Sequence, residues 1–167
     1  MLAWGILGFV VLQRLAELWY ANRNTKALLA RGAVEIGRTH YPLIVLLHAA
    51  WLVTIAVNLP PEPAVNVIWL ALFVLLQTLR VWILATLGPY WTTRIITLPD
   101  AALVRRGPYR FLRHPNYCVV AGEILVLPMV FGQGHVALIF SLLNAAVLFW
   151  RIRVEENALS ARRDLAA

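Results

Sequence analysis

Five apolar segments restrict what this chain can fold into more than any other feature of the sequence. A bilayer core about 30 Å thick needs about 20 apolar residues in a helix, because backbone exposed to lipid must satisfy its own hydrogen bonds. Residues 2–20, 41–59 and 64–87 meet that length, and residues 116–131 and 135–150 fall short of it. The sequence therefore predicts an all-α, polytopic membrane protein with about five transmembrane helices.

The composition excludes most other classes of protein. Hydrophobic residues make up 61% of the chain and charged residues 14%, whereas a soluble domain is about half apolar and a quarter charged. This excess rules out a soluble enzyme and a disordered chain. Cys118 is the only cysteine, so an intrachain disulfide is impossible. The 15 Lys and Arg residues are found mainly between apolar segments, where we expect membrane lipids as partners and no nucleic acid.

The positions of the basic residues predict the orientation. Arg14 and Arg80 are inside predicted helices, and every other Lys or Arg is in the first loop, the third loop or the C-terminal tail. The loops at residues 60–63 and 132–134 contain none. By the positive-inside rule we expect the N-terminus outside and the C-terminus in the cytoplasm.

The last two apolar segments predict a helical hairpin. Only Gly132, Gln133 and Gly134 separate them, and the second segment continues past Trp150 without Gly or Pro. We expect residues 1–87 to form three helices and a first cytoplasmic loop. Residues 88–167 are expected to form a linker, extended near residues 91–98, the hairpin and a C-terminal helix that builds the cofactor site. The two parts are interpreted as one integrated domain.

The residues best suited to chemistry cluster in the linker and at the ends of this hairpin. Residues 107–117 read Gly-Pro-Tyr-Arg-Phe-Leu-Arg-His-Pro-Asn-Tyr. If the hairpin helices are antiparallel, His114 and Tyr117 face residues 153–156 across a small space. The glutamates there could accept hydrogen bonds from hydroxyls such as those of a ribose, and aromatic faces could hold a flat base or a sulfonium cation.

This pattern, followed by Glu123 and then Arg-x-Arg-x-Glu-Glu, resembles the isoprenylcysteine carboxyl methyltransferase family, in particular its short bacterial branch. The resemblance covers about residues 87–159. It implies S-adenosylmethionine as cofactor and a bacterial inner membrane as the location. It places a set of residues at or beside that cofactor: His114, Tyr117, Glu155 and Glu156, with Tyr109, Leu103 and Val104 as neighbours.

The function predicted on this basis is an S-adenosylmethionine-dependent O-methyltransferase that acts on a lipophilic acceptor at the cytoplasmic membrane interface. The acceptor is either a prenylcysteine-like carboxylate or an alkylated phenol or pyrone. A carboxylate needs a cation, for which Arg110, Arg113 and Arg153 are candidates. A phenol or enol also needs a base, for which Glu123 or His114 is the better candidate. Glu123 is well inside a predicted helix, so it must face protein or a wet cavity.

Two other functions remain open at the level of sequence. One is a membrane reductase with a nicotinamide cofactor, although the chain is short for it. The other is a non-enzymatic helical scaffold or transporter subunit, which would leave the His, Tyr and Glu cluster without a role. No His or Cys set has metal-ligand spacing, so no metal is expected. The sequence does not indicate an oligomeric state.

Overall fold

The computed structural model describes residues 1–38, 41–98 and 104–164, with side chains described as far as residue 157. Helices dominate these residues: Leu2–Ala30 (α1), Tyr41–Val57 (α2), Val67–Leu87 (α3), Pro115–Val130 (α4) and Gly134–Asp164 (α5). Two short strands, Val34–Ile36 (β1) and Ile95–Thr97 (β2), lie in the loops, with 3-10 turns at Gly88–Tyr90 and Gly107–Arg110.

The helices confirm an all-α, polytopic membrane protein and correct two predicted lengths. Leu2–Ala30, Val67–Tyr90 and Gly134–Asn157 are long and apolar enough to cross a membrane. The segment at 41–59 was predicted to have full length, but α2 has 17 residues because Pro60 and Pro61 follow and cannot continue the helix. The segment at 2–20 belongs to α1, which continues to Ala30, whereas α5, with 31 residues, extends past Trp150 as predicted.

The predicted hairpin of α4 and α5 is present. Its turn contains Gly132 with a φ of 73°, in the left-handed region that favours glycine. The Gln133 backbone N–H donates to the Pro128 carbonyl at 3.0 Å, and the Gln133 side chain donates to the Ile55 carbonyl at 3.0 Å. The hairpin turn is therefore attached to α2 as well as closed on itself.

The two strands join the first loop to the linker. They pair antiparallel in the register Val34↔Thr97, Glu35↔Ile96 and Ile36↔Ile95. The predicted extended segment near residues 91–98 thus contains β2, whereas its partner β1 was not predicted. Because the ladder connects these loops, the ends of α1 and α3 next to it lie at the same end of the molecule.

Four charged side chains from three helices meet inside the protein, and we call Arg14, Glu17, Arg80 and Glu123 the ionic cluster. Arg80 and Glu123 are 2% and 1% exposed. Arg80 donates from Nε to Glu123 Oε1 at 2.8 Å, and Arg14 donates from Nη2 to Glu123 Oε2 at 2.6 Å. Glu17 accepts from Arg14 at 2.8 Å and from Arg80 at 3.2 Å. The cluster contains two cations and two anions, so it is neutral.

Two glutamines complete the polar contacts around the ionic cluster. Gln77 donates from Nε2 to Glu123 Oε1 at 2.8 Å, and Gln13 donates from Nε2 to Glu17 Oε1 at 3.0 Å. Gln13 also donates to Gln77 Oε1 at 2.6 Å. Pairing of this kind is what makes charged groups tolerable in a membrane-embedded helix bundle.

We predict that Glu123→Gln strongly destabilises the protein. The change leaves Arg14 and Arg80 with an excess positive charge in the interior, and loss of one partner of a buried pair costs about 3–5 kcal/mol. Thermal unfolding in detergent measures the effect.

Glu62→Gln, at an exposed loop position, is the matched control and should unfold like the wild type. The double change Glu123→Gln/Arg80→Gln restores neutrality and should recover part of the loss. Equal stability of Glu123→Gln and wild type would contradict a structural role for the cluster.

Candidate functional site

A cavity of about 660 Å³ opens at the end of the molecule where the strands pair. Its walls come from the ends of α1 and α3, the linker with β2, the first turn of α4 and the middle of α5. Seven of the residues predicted for the cofactor or for catalysis line it: Val104, Tyr109, Arg110, Arg113, His114, Tyr117 and Glu155. Leu103 was also predicted, but it lies outside the described residues.

The start of α4 carries two of these residues into the cavity. Pro115 is the first helical residue, where its fixed φ and missing N–H suit a helix N-terminus. His114 precedes it and Tyr117 follows in the first turn. Their rings are stacked, with centroids 5.4 Å apart and planes inclined at 17°. This local sequence therefore builds a flat aromatic platform at the cavity wall.

The Tyr117 hydroxyl connects α4 to α5. It donates to Glu155 Oε2 and accepts from Arg151 Nε at 2.7 Å. Arg151 also donates from Nη2 to the Thr93 carbonyl at 2.7 Å and is 7% exposed. Three separate parts of the chain, namely the linker, α4 and α5, are thus held together around one hydroxyl group.

Sequence reasoning missed Arg151. It was not among the predicted site residues, yet Arg151 and Glu155, which are four residues apart on α5, are both directed to Tyr117. The same spacing also places the two residues on one face of α5, and that face is the signal that could have assigned Arg151 to the site.

His114 lies close to both glutamates of α5. Its Nδ1 is 3.8 Å from Glu155 Oε2, and its Nε2 is 3.6 Å from Glu156 Oε1. These distances are longer than hydrogen bonds. Within the described residues, His114 Nε2 and Asn116 Oδ1 are buried without a hydrogen-bond partner. Both residues line the cavity.

Three of the predicted site residues are outside the cavity lining. Glu156 is in contact range of His114, as described above. Arg153 has its guanidinium 4.4 Å from the centroid of the Phe149 ring. Glu123 belongs to the ionic cluster, and a carboxylate that accepts hydrogen bonds from two guanidinium groups is poorly placed to take a proton from a substrate. This position favours a structural role for Glu123 over the predicted catalytic one.

The turn that carries Tyr109 packs closely against α3 at Gly107. Gly107 has a φ of 56°, and a Cβ there would lie 2.5 Å from Thr86 Oγ1, so a larger residue would displace the turn. Burial, assisted by the nearby charge of Glu155, raises the pKa of the Tyr109 hydroxyl above its ordinary value. Tyr109 therefore keeps its proton at neutral pH and can donate a hydrogen bond.

Positive charge dominates the described lining of the cavity. Five arginines contribute to it, namely Arg94, Arg105, Arg110, Arg113 and Arg151, against one carboxylate, that of Glu155. Charges of one sign around a cleft raise the local concentration of the opposite ion. The cavity is therefore suited to a ligand that carries negative charge.

Comparison with known proteins identifies the family. The model of the isoprenylcysteine carboxyl methyltransferase family matches residues 69–161, which is more than half of the chain. The chain belongs to this family. The match includes α3, the linker, α4 and most of α5, and it confirms the resemblance noted in the sequence. Membership of the isoprenylcysteine carboxyl methyltransferase family implies a membrane methyltransferase.

Two bacterial relatives align with nearly the whole chain. The uncharacterized protein YpbQ of Bacillus subtilis (strain 168) is 38% identical over 160 residues, which cover 93% of this chain and 95% of the relative. An uncharacterized protein of Haemophilus influenzae (strain ATCC 51907 / DSM 11121 / KW20 / Rd) is 26% identical over 152 residues, 88% of each chain. No solved structure matches this protein.

Proposed function

We propose that the protein is an S-adenosylmethionine-dependent O-methyltransferase that acts on a lipophilic acceptor. One observation carries the proposal: in a chain of this family, the stacked His114 and Tyr117 rings and the Glu155 carboxylate converge on one cavity rich in arginine. The nicotinamide reductase and the scaffold offer no comparable reason for this convergence.

The residues of the cavity fit the proposed cofactor. The volume of the cavity is within the range of about 300–1,000 Å³ typical of small-molecule sites. The aromatic platform of His114 and Tyr117 suits a flat base or a sulfonium cation. Glu155, His114 and Asn116 line the cavity, and their side chains are of the types that pair with hydroxyl, amino and carboxylate groups.

S-Adenosylmethionine, when bound, supplies a methyl carbon that its sulfonium already activates, so the protein's main tasks are alignment and exclusion of water. Arg151 fixes the Tyr117 hydroxyl, and the hydroxyl fixes Glu155. Tyr109 provides a protonated donor near the same carboxylate. These contacts hold the side chains of Tyr117 and Glu155 in place before any substrate enters.

The charge of the cavity favours an acceptor oxygen that is already ionised. A carboxylate needs cations and no base, and five arginines are present in the lining. A phenol or pyrone that is neutral in solution needs a base, and His114 is the candidate among the predicted residues that line the cavity. We therefore favour a prenylcysteine-like carboxylate, or another acidic amphiphile, over a neutral phenol.

The first prediction concerns the cofactor. His114→Ala, Tyr117→Ala and the double change Glu155→Ala/Glu156→Ala should each weaken binding of S-adenosylhomocysteine by about 1–3 kcal/mol, because each removes a polar partner at or beside the cavity. Isothermal titration calorimetry measures the affinity for S-adenosylhomocysteine.

His48→Ala is the control, since His48 Nδ1 contacts the Ile44 carbonyl of its own helix. A parallel titration with a reduced nicotinamide dinucleotide tests the reductase. Wild-type binding by every folded pocket variant would place the cofactor elsewhere.

The second prediction concerns the acceptor. Burial of a methylene group is worth about 0.8 kcal/mol, so shortening the acceptor chain by four carbons should weaken its apparent affinity by roughly two orders of magnitude. The measurement is methyl transfer from labelled S-adenosylmethionine to lipid acids and alkylated phenols of graded length. Equal turnover of long and short acceptors would contradict a lipophilic acceptor site.

The third prediction concerns orientation. We propose that the N-terminus is outside and that the cavity and the C-terminus face the cytoplasm of a bacterial inner membrane, because the basic loops are at one end. A reporter active only in the cytoplasm should give signal when fused after Ala167 and none when fused after Glu62. Signal after Glu62 and none after Ala167 would contradict the proposed orientation.

A further inference from the structure

The cavity has two chemically different walls. The polar wall is formed by α4 and α5 with His114, Tyr117, Glu155 and Arg151. The apolar lining residues come from the ends of α1 and α3 and from β2 with its neighbours, and we call them the apolar wall: Leu28, Leu87, Ile95, Ile96 and Leu98. Burial of a lipophilic tail against the apolar wall is favourable, because it removes apolar surface from water. Arg94 lies directly beside Ile95 and also lines the cavity.

Arg94 is fixed from outside the cavity and retains donors for a ligand. Its Nη1 donates to Glu35 Oε1 at 2.8 Å, and its guanidinium lies 4.6 Å from the centroid of the Tyr41 ring. Its side chain is 34% exposed, and the hydrogen bond to Glu35 uses Nη1. The guanidinium is therefore held in place while part of it remains accessible.

Glu35 comes from β1, which the family match at residues 69–161 does not include. Its side chain is 4% exposed and also accepts from Arg38 Nε at 3.0 Å. Burial alone would raise the pKa of Glu35, but the hydrogen bonds and charges of Arg94 and Arg38 hold it below its ordinary value. Glu35 is thus ionised at neutral pH. The Glu35 carboxylate therefore holds the Arg94 guanidinium by charge as well as by a hydrogen bond.

Two contacts connect the surroundings of Arg94 to the polar wall. The Tyr41 hydroxyl and Thr93 Oγ1 are 3.1 Å apart, and the Thr93 carbonyl accepts from Arg151. Arg94 is therefore placed between the anchor on β1 and the residues that organise Tyr117, so an anionic group bound by Arg94 would face the polar wall.

We propose that Arg94 binds the anionic oxygen of the lipophilic acceptor while the tail lies on the apolar wall, and that Glu35 is the positioning residue that holds Arg94 there. The proposal rests on the proposed function, since it assigns the acceptor to one wall of the same cavity. The competing interpretation is that Arg94 serves only to pair with Glu35 and join the loops.

A charge swap separates the two interpretations. Glu35→Arg/Arg94→Glu keeps an ion pair across the strands but turns the charge at the cavity wall negative. The ligands are hexadecanoate and hexadecan-1-ol, titrated in detergent at about pH 9, where a carboxyl group is ionised. Quenching of tryptophan fluorescence reports binding, because Trp91 lines the cavity. S-Adenosylhomocysteine binding is measured on the same samples to show that the polar wall is intact.

We expect the wild type to prefer the acid over the alcohol. Arg94→Gln should reduce this preference about tenfold or more, as for loss of a charge-assisted hydrogen bond, and Arg94→Lys should retain part of it. The swap should also lack the preference while binding S-adenosylhomocysteine within about twofold of wild type. Arg38→Gln is the control, since Arg38 pairs with the same carboxylate but its side chain is 73% exposed, and it should behave like wild type.

Return of the acid preference in the swap, or its persistence in Arg94→Gln, would overturn the proposal and leave Arg94 a purely structural role. If Arg94→Gln loses its fold, the swap and Arg94→Lys still decide between the two interpretations. Failure of the wild type to bind S-adenosylhomocysteine would contradict the proposed function, whereas the acid preference and its dependence on Arg94 would still be measured independently.

Discussion

A charged group inside a membrane-embedded helix must find an opposite charge within the protein, and the ionic cluster meets this requirement for four side chains at once. Glu123 of α4 binds Arg14 of α1 and Arg80 of α3 simultaneously. Hydrophobic packing alone permits helices to slide, because lipid and apolar side chains are nearly equivalent environments. A buried ion pair does not permit this, since a shift of one residue would separate the charges. The cluster therefore fixes the register of three helices.

That register determines where the cavity forms. Tyr117 and Glu123 are on the same helix, six residues apart, or about 9 Å along the axis. Once Glu123 is paired, the first turn of α4 can occupy only one position relative to the ends of α3 and α1. With its 16 residues, α4 is about 24 Å long, shorter than the apolar core of a bilayer. At least one of its ends is thus close to the depth of lipid tails, which is where a lipophilic acceptor would be found.

The sequence predicted what depends on local pattern and charge. Apolar length predicted the helices, the Gly132 turn predicted the hairpin, and antiparallel geometry predicted that His114 and Tyr117 would meet the glutamates of α5. It did not predict the pairing of β1 with β2, because three-residue strands carry almost no periodic signal and their partners are some 60 residues apart. Arg151 and Arg94 were missed for a related reason, because each has partners that are distant in the chain: Tyr117 and Thr93 for Arg151, and Glu35 for Arg94.

The origins of the two cavity walls differ along the chain. The polar wall is built within residues 69–161, the region matched by the family model. The apolar wall also depends on Leu28 and on strand β1, which pairs with β2, and both of these precede the matched region. Asn24 of α1 strengthens this dependence by donating to the carbonyls of Gly88 at 3.1 Å and Trp91 at 2.9 Å. If the polar wall binds the cofactor and the apolar wall the acceptor, substitutions in the first helix and loop can change the acceptor without disturbing the cofactor. Such a division would allow one methyl-transfer site to serve chemically different lipids, because the parts that must stay constant and the parts that are free to vary are supplied by different stretches of sequence.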